Sequence, residues 1–373
     1  MSAAAPRDCG VRQAIVLCAG HGTRLAPLTS WRPKPLVPFL NVPLLTHVLT
    51  GLRAAGVLRV ALNAFHHAEH VREYAEGDPV PGLELHVRTE RTLLGTGGGL
   101  ANLRDWRAPG PLLVLAGDIL TDVDYAALVA RHRATGAEAT MALNPHADTA
   151  FFGAVETGAD GMLCDIVGLV GRPGSERAVN ASVHVLEPRF LERFPTGSSC
   201  LVRQGYVPAL AAGGRCAGHV HRGAWAELGN VPAWLDAQRA ALAGQLPVDA
   251  ALLAAGGRRD GGRSLVHDAA QVAPDALLRD GTVVGAGARV GARAVLERCL
   301  VLPGAVVPAG ARLSGAAVLP APAAHAPDSR APDSHAPDSH APDSRAPAAA
   351  PAPLARGAAR EIPRATGTAE PVA

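Results

Sequence analysis

The chain has 373 residues, a formal net charge of +2 and 18% charged residues, and its 35 basic side chains comprise 34 arginines and a single lysine, Lys34. That lysine lies between prolines in Arg32-Pro33-Lys34-Pro35, which excludes a G-x-x-x-x-G-K-[ST] phosphate loop and a protein-kinase lysine and leaves Lys34 as the sole candidate for Schiff-base chemistry. Basic and acidic residues are interspersed, so there is no basic stripe of the kind that binds nucleic acid, and no nucleic-acid partner is expected.

The N-terminal stretch Met1 to Arg12 lacks a charged segment followed by an apolar one, and no run approaches the ~20 apolar residues that span a bilayer. Six cysteines (Cys9, Cys18, Cys164, Cys200, Cys216 and Cys299) are far apart with no C-x-x-C pair, which suits free thiols in a reducing compartment. A soluble cytoplasmic protein with no membrane partner is expected. The length suits roughly two to three domains.

From Gln13 to about Leu143, short apolar runs alternate with amphipathic stretches. Strands are predicted at Ala14 to Cys18, Val57 to Asn63, Leu83 to Val87, Leu112 to Ala116 and Ala139 to Leu143, with helices at Pro43 to Ala55 and Tyr125 to His132. Continuous rather than alternating apolar runs mean strands covered on both faces, hence a mostly parallel α/β sheet. Ligands in such sheets bind beyond the carboxyl ends of the strands, which points to the loops after Cys18 and Ala116. Shorter strands (Gly153 to Glu156, Asp165 to Gly168, Ser182 to Leu186) and helices at Leu201 to Ala212 and Val231 to Leu242 complete a first unit spanning 12–250.

Beyond a Gly- and Arg-rich link the pattern changes. Val266, Val272, Leu278, Val284 and Val290 recur every six residues, and after a one-residue slip Val295, Val301, Val307, Leu313 and Leu319 do so again. This period drifts around an α-helix but suits a parallel β-helix of roughly three coils over 264–319. From Pro320 to the end (320–373) the chain is Pro/Ala-rich, with four consecutive Ala-Pro-Asp-Ser-(Arg/His) repeats. Too few large apolar residues remain to offset ordering entropy, so a disordered tail is expected. Its His325, His335 and His340 are too isolated for a closed metal site. His66 and His70 form an i, i+4 pair with His67 beside them, but no Glu follows the first His in the His-Glu-x-x-His manner, and an exposed helix start is the reading taken.

The richest segment is Ala14-Ile-Val-Leu-Cys-Ala19-Gly20-His-Gly22-Thr23-Arg24-Leu25-Ala-Pro27-Leu-Thr29, followed by Pro33-Lys34-Pro35-Leu36. A strand running into Gly-x-Gly lets backbone amides face an anion without Cβ interference. Arg24 offers a planar fork to phosphate oxygens, and Lys34 a compact point charge. A dinucleotide fingerprint would need a third Gly where Leu25 stands. Further on, Leu94-Gly95-Thr96-Gly97-Gly98-Gly99 reads by itself as a Gly-rich turn before a helix, and Asp118 after the Leu112 to Ala116 strand as a turn residue, a cap or a ligand for Mg²⁺.

Taken together, these strings resemble the signature of the sugar-phosphate nucleotidylyltransferases, which join an NTP and a sugar 1-phosphate to give an NDP-sugar and pyrophosphate. The resemblance implies a Rossmann-like nucleotidyltransferase domain over 12–250, followed by a short left-handed parallel β-helix and the tail. It implies nucleotide contacts from Ala19, Gly20, Gly22, Thr23, Gly95, Thr96 and Gly97, with backbone groups of the second glycine motif reading the base. Arg24 would bind the departing pyrophosphate, Lys34 would neutralise charge at the α-phosphate, and Asp118 would ligate Mg²⁺. Phe152-Gly153-Ala154-Val155, Arg172 in Gly171-Arg172-Pro173, and Asn180-Ala181-Ser182 resemble the sugar-phosphate side, giving Gly153, Arg172 and Asn180 as its candidates. Trp225-Ala226-Glu227-Leu228-Gly229 resembles the segment that carries the second metal ligand, here Glu227.

Two departures stand out. Gly171 replaces the carboxylate of a Glu-Lys-Pro motif, and Glu227 replaces an Asp. They motivate an alternative, a catalytically weakened sugar-nucleotide-binding regulatory protein. A β-helix acyltransferase is disfavoured, since His267 is the sole His between Ser264 and Leu319. The motif flavour is nearest to the guanylyltransferase branch acting on mannose 1-phosphate, or to sister enzymes acting on heptose or muramic sugars, and the β-helix resembles extensions that serve assembly or regulation, including homo-oligomer formation.

Overall fold

The computed structural model describes residues 7–261 and 263–321. The expected tail, including its pentapeptide repeats and His325, His335 and His340, lies outside the described residues except for Pro320 and Ala321.

A nine-stranded mixed sheet organises the first part of the chain. Glu84–Thr89, Arg59–Ala64, Gln13–Leu17 and Leu112–Ala116 lie side by side and parallel. The long antiparallel strand Glu176–Leu186 then joins Leu112–Ala116 to Ala139–Asn144, with Cys216–Val220 parallel beyond it. Successive residues of the central strand enter opposite layers: Ala14 and Val16 pack into one core and Ile15 into the other. The first layer is closed by Leu45, Val48, Leu49 and Leu52 of helix Leu44–Ala54, whose spacing puts them on one helical face. The second is closed by Leu100, Phe190, Phe194 and Tyr206. Burying each such Leu or Ile side chain contributes about 1.5–3 kcal/mol relative to leaving it exposed.

The predicted elements differ from the observed ones where a distant partner decides. The strand expected to start at Ser182 begins at Glu176, because Glu176, Arg177 and Ala178 pair with Thr157, Glu156 and Val155. The helix expected over Leu201 to Ala212 opens as a wide turn, Leu201–Tyr206, in which the Val207 N–H reaches back five residues to the Val202 carbonyl. Pro208 has no N–H with which to extend an ordinary ladder into it.

Three parallel ladders follow, built from Ser264–Val266, Val283–Val284, Leu300–Val301 and Ala317–Val318, from Gln271–Val272, Arg289–Val290 and Val306–Val307, and from Leu277–Arg279, Val295–Glu297 and Arg312–Ser314. Stacked parallel ladders of this kind fit a β-helix. The register differs from the expected one at two positions: Leu296 rather than Val295 pairs with Leu278 and is fully buried, and Val318 rather than Leu319 pairs with Val301. The spacing is five residues and not six from Leu296 to Val301 and from Leu313 to Val318, so the slip falls at those two corners and not after Val290.

A third core ties the two regions together, with Leu25, Leu28, Val37 and Phe39 packing in one cluster with Trp234, Leu265, Val283 and Leu300. The segment that carries the first glycine motif thus rests on the β-helix. Among the described residues no helix is long and apolar enough to cross a membrane, and all six cysteines are unpaired.

Candidate active site

The strand Gln13–Leu17 ends in the loop Cys18 to Gly22, at the carboxyl edge of the parallel sheet. Asn63, which pairs in register with Leu17 on the neighbouring strand, turns its side chain under that loop. Its Oδ1 accepts from the Cys18 N–H at 2.8 Å and lies 3.4 Å from the Ala19 nitrogen. Gly22 has φ +63°, and a Cβ there would come within 2.7 Å of Thr29 Cγ2. Glycine is therefore required by conformation and by space. Thr29 Oγ1 donates to the Gly22 carbonyl at 3.1 Å, and nothing stands within 4 Å of where a Gly20 Cβ would be. Thr23 and Arg24 begin a single short turn, Thr23–Leu25, whose Leu25 is fully buried.

Lys34 opens a second short turn, Lys34–Leu36, and its Nζ donates to Asp118 Oδ2. Asp118 follows the strand Leu112–Ala116 and precedes a two-stranded antiparallel ribbon, Ile119–Thr121 with Trp225–Glu227. In that ribbon Glu227 faces Ile119, and the Leu228 N–H donates to the Asp118 carbonyl at 3.0 Å. Two carboxylates 109 residues apart in sequence are thereby neighbours. Arg24 Nη2 lies 3.5 Å from Glu227 Oε1. Side-chain exposure is 14% for Lys34, 27% for Asp118 and 22% for Glu227 against 66% for Arg24, so three charges are recessed and the fourth reaches into solvent. Burial, and then the Asp118 charge, push the Glu227 carboxyl above its usual range, outweighing Lys34 and Arg24. Burial also pushes the Cys18 thiol well up, which keeps it a neutral thiol and not a nucleophile beside the loop.

The second glycine motif forms the short helix Gly95–Ala101. The Gly97 and Gly98 N–H groups both donate to the Ser199 carbonyl, at 2.8 and 3.2 Å, and Thr96 Oγ1 accepts from the Leu201 N–H. These amides hold the neighbouring segment, which leaves Gly95 and the Thr96 backbone as the parts of the motif nearest the loop end of the helix.

Glu90 connects the two motifs. Its Oε1 accepts from Asn63 Nδ2 at 2.8 Å and its Oε2 from the Leu94 N–H at 2.9 Å. Burial pushes this carboxyl up. Neither Asn63 nor Glu90 was a candidate from sequence. The available signal was a polar residue at the end of an otherwise apolar strand run, Val60-Ala-Leu-Asn63.

Among the residues expected on the sugar-phosphate side, Asn180 Oδ1 accepts from the Ser182 N–H at a register shift in its strand. The intervening Ala181 carbonyl accepts from Trp225 Nε1 at 3.1 Å, linking this strand to the Glu227 ribbon. Gly153 follows helix Thr149–Phe152, and Phe152 meets Trp225 edge-on with ring centroids 5.3 Å apart. Gly153 and Asn180 are thus connected to the ribbon through its Trp225. Arg172 is not joined to the charged cluster by any contact: it is exposed and donates to the Leu210 carbonyl at the end of helix Val207–Ala211. The Gly171 N–H donates to buried Asp165, which also accepts from Gly168 and Val170 and so shapes this turn.

Comparison with known proteins places this geometry in context. Residues 13–244 match the family model described as nucleotidyl transferase. A mannose-1-phosphate guanylyltransferase of Mycobacterium tuberculosis is 35% identical over 294 residues, covering 78% of this chain and 80% of the relative. A probable mannose-1-phosphate guanylyltransferase 1 of rice, Oryza sativa subsp. japonica, is 30% identical over 309 residues, covering 79% and 82%. The crystal structure of HddC from Yersinia pseudotuberculosis complexed with GMP-PN superposes with a TM-score of 0.52 at 20% identity, covering 61% of this chain and 97% of that one, which is a likeness of fold. With the family model spanning most of the chain and the glycine loop, lysine and carboxylates gathered at one edge of the sheet, the chain belongs to the nucleotidyl transferase family, as a sugar-phosphate nucleotidylyltransferase.

Proposed function

We propose that the protein transfers a nucleotidyl group from GTP to mannose 1-phosphate, releasing pyrophosphate and forming GDP-mannose. The observation that carries the transfer reading is the convergence of Lys34, Asp118, Glu227 and Arg24 beside the Cys18 to Gly22 loop. The choice of base and sugar is supported by the names of the relatives that are 35% and 30% identical over nearly four fifths of the chain.

In this reading a phosphate oxygen of the sugar 1-phosphate attacks the α-phosphorus of the bound triphosphate in line, and pyrophosphate leaves. The nucleophile is already an anion, so no general base is needed. Positioning and charge neutralisation are what such a transfer demands. The loop amides from Ala19 to Gly22, with Thr23, cradle the triphosphate. Lys34, recessed and with three donors, can keep Asp118 while offering a proton to an α-phosphate oxygen. Arg24, the exposed cation, meets the leaving pyrophosphate.

Two adjacent carboxylates form a hard-oxygen donor set that fits a small divalent cation, in keeping with the divalent metal that nucleotidyltransferases of this family generally use. Asp118 and Glu227 would hold Mg²⁺, which when bound would supply charge neutralisation to the phosphates. Gly153 and Asn180 would line the sugar side. Arg172 would contribute only after leaving the Leu210 carbonyl.

Incubating the purified protein with Mg²⁺, each NTP and a panel of sugar 1-phosphates while measuring pyrophosphate release tests the proposal. GTP with mannose 1-phosphate should turn over fastest. The missing carboxylate at Gly171 and the outward Arg172 favour a second reading, a nucleotide-sugar-binding regulatory protein. Tight GDP-mannose binding with no turnover on any pair would establish that reading instead. The β-helix we take as an assembly platform, to be checked by the mass of the particle in solution.

A further inference from the structure

Away from the charged cluster, His67, Glu69 and His70 gather at the start of helix Ala68–Glu76, with one ligand-type atom from each lying within 4.8 Å of the others. His67 sits at φ +51° and its Nδ1 lies 3.3 Å from Glu69 Oε1. The rings of His67 and His70 stack with centroids 5.3 Å apart. His70 Nδ1 is buried and has no hydrogen-bond partner. A buried ring nitrogen without a partner is costly unless something outside the protein satisfies it.

We propose that His67, Glu69 and His70 bind a borderline transition-metal dication, with Zn²⁺ the ion their donors suit, and that the ion braces the first glycine loop. Two imidazoles and one carboxylate are a zinc-type set, quite unlike the two carboxylates of Asp118 and Glu227. Tetrahedral Zn²⁺ with ligand bonds of about 2.0–2.1 Å needs donor atoms about 3.3 Å apart, so the cluster must contract by at most about 1.5 Å. Glu69 is exposed and His67 half-buried, which leaves a solvent-facing fourth position for water. Binding displaces any proton from the ligating nitrogens into solvent and changes no oxidation state.

The brace follows from adjacent contacts. The ring of His66 lies 4.1 Å from that of His67, and its Nε2 donates to the Thr29 carbonyl at 3.1 Å. Thr29 in turn holds the Gly22 carbonyl. The ring of His21, inside the loop, lies 6.3 Å from His66. Fixing His67 therefore restrains the loop at His21 and at its C-terminal flank through Thr29.

The test uses the full chain with His325, His335 and His340 replaced by Ala, kept in excess Mg²⁺ so that the carboxylate pair is saturated. Zn²⁺ titration by calorimetry and Co²⁺ titration by visible absorption should each show one site, with the intense bands of tetrahedral Co²⁺. Both His70→Ala and the exposed substitution Glu69→Gln should weaken binding by about 10-fold or more, with circular dichroism unchanged. Zn²⁺ affinity unaltered in both variants, or no binding in the parent, overturns the site. Saturating the site should also change the Kd for GTP, measured without sugar phosphate, in the parent but not in His70→Ala. A Kd indifferent to Zn²⁺ overturns the brace.

Discussion

Lys34 donates to Asp118 across 84 residues of sequence, joining a proline-flanked turn to the end of a central strand. The lysine Cβ lies 3.5 Å from where a Gly22 Cβ would stand, and the side chain is only 14% exposed. A compact ammonium fits between the glycine loop and the carboxylate, whereas a planar guanidinium needs a wider, flatter space. Lys34→Arg should therefore fold with a Tm near that of the parent yet lose about 100-fold or more in kcat, since displacements near 1 Å cost that much. Pyrophosphate release close to the parent rate would contradict the argument.

Glu227 should carry a pH signature. Its folded-state pKa is raised, chiefly by burial and next by Asp118. Between its unfolded and folded values the folded protein binds more protons, so its ionisation costs stability as pH rises through the folded value. Glu227→Gln removes that cost, and its partner Arg24 is exposed enough to be solvated alone. The variant should unfold at higher urea than the parent at neutral pH, the advantage fading as pH falls below the folded value. It should lose Mg²⁺-dependent turnover at every pH.

The Asn63–Glu90 bridge should govern the nucleotide end of the site. Asn63→Ala strands a buried carboxylate oxygen and frees the Cys18 N–H. Leaving such groups unpaired costs about 1–3 kcal/mol each. Urea unfolding should show that loss, and steady-state kinetics a KM for the triphosphate that rises more than kcat falls. A reduced kcat with unchanged KM would assign the bridge no part in holding the loop.

Gly97 has no room for a side chain, since a Cβ would lie 2.7 Å from Phe194 Cδ1 and 2.8 Å from Ser199 Oγ. Gly97→Ala should destabilise by about 1–3 kcal/mol, as overpacking does, although Ala favours the helix locally. Thermal unfolding decides it: a raised Tm would mean that helix propensity outweighs the collision.

Leu300 is buried in the core shared by the β-helix and the flanks of the glycine loop. Leu300→Ala should cost about 2–5 kcal/mol. Because Leu25 and Leu28 belong to the same cluster, the variant should also bind GTP more weakly at temperatures where it is still folded, as calorimetry would record.

Some of this was determined by the linear sequence. Continuous apolar runs such as Ala14 to Val16 dictate strands covered on both faces, because burial depends on local composition wherever both faces are apolar. The six-residue period dictates stacked coils. The strings Gly20 to Thr29, Pro33 to Leu36 and Gly95 to Gly99 carry the resemblance to the nucleotidyl transferase family that the comparison bears out, and close packing at Gly22 and Gly97 demands glycine there.

Relations between residues distant in sequence were decided by the tertiary structure. The ribbon that sets Glu227 beside Asp118, the strand register that puts Asn63 beneath Cys18, and the outward course of Arg172 to the Leu210 carbonyl all depend on pairings across the fold. A side chain's charge is written in the sequence, whereas its partner, burial and proton affinity are set by what the chain folds against it. Lys34 illustrates both: composition singled it out, and only the fold set that solitary ammonium between Gly22 and the carboxylate of Asp118.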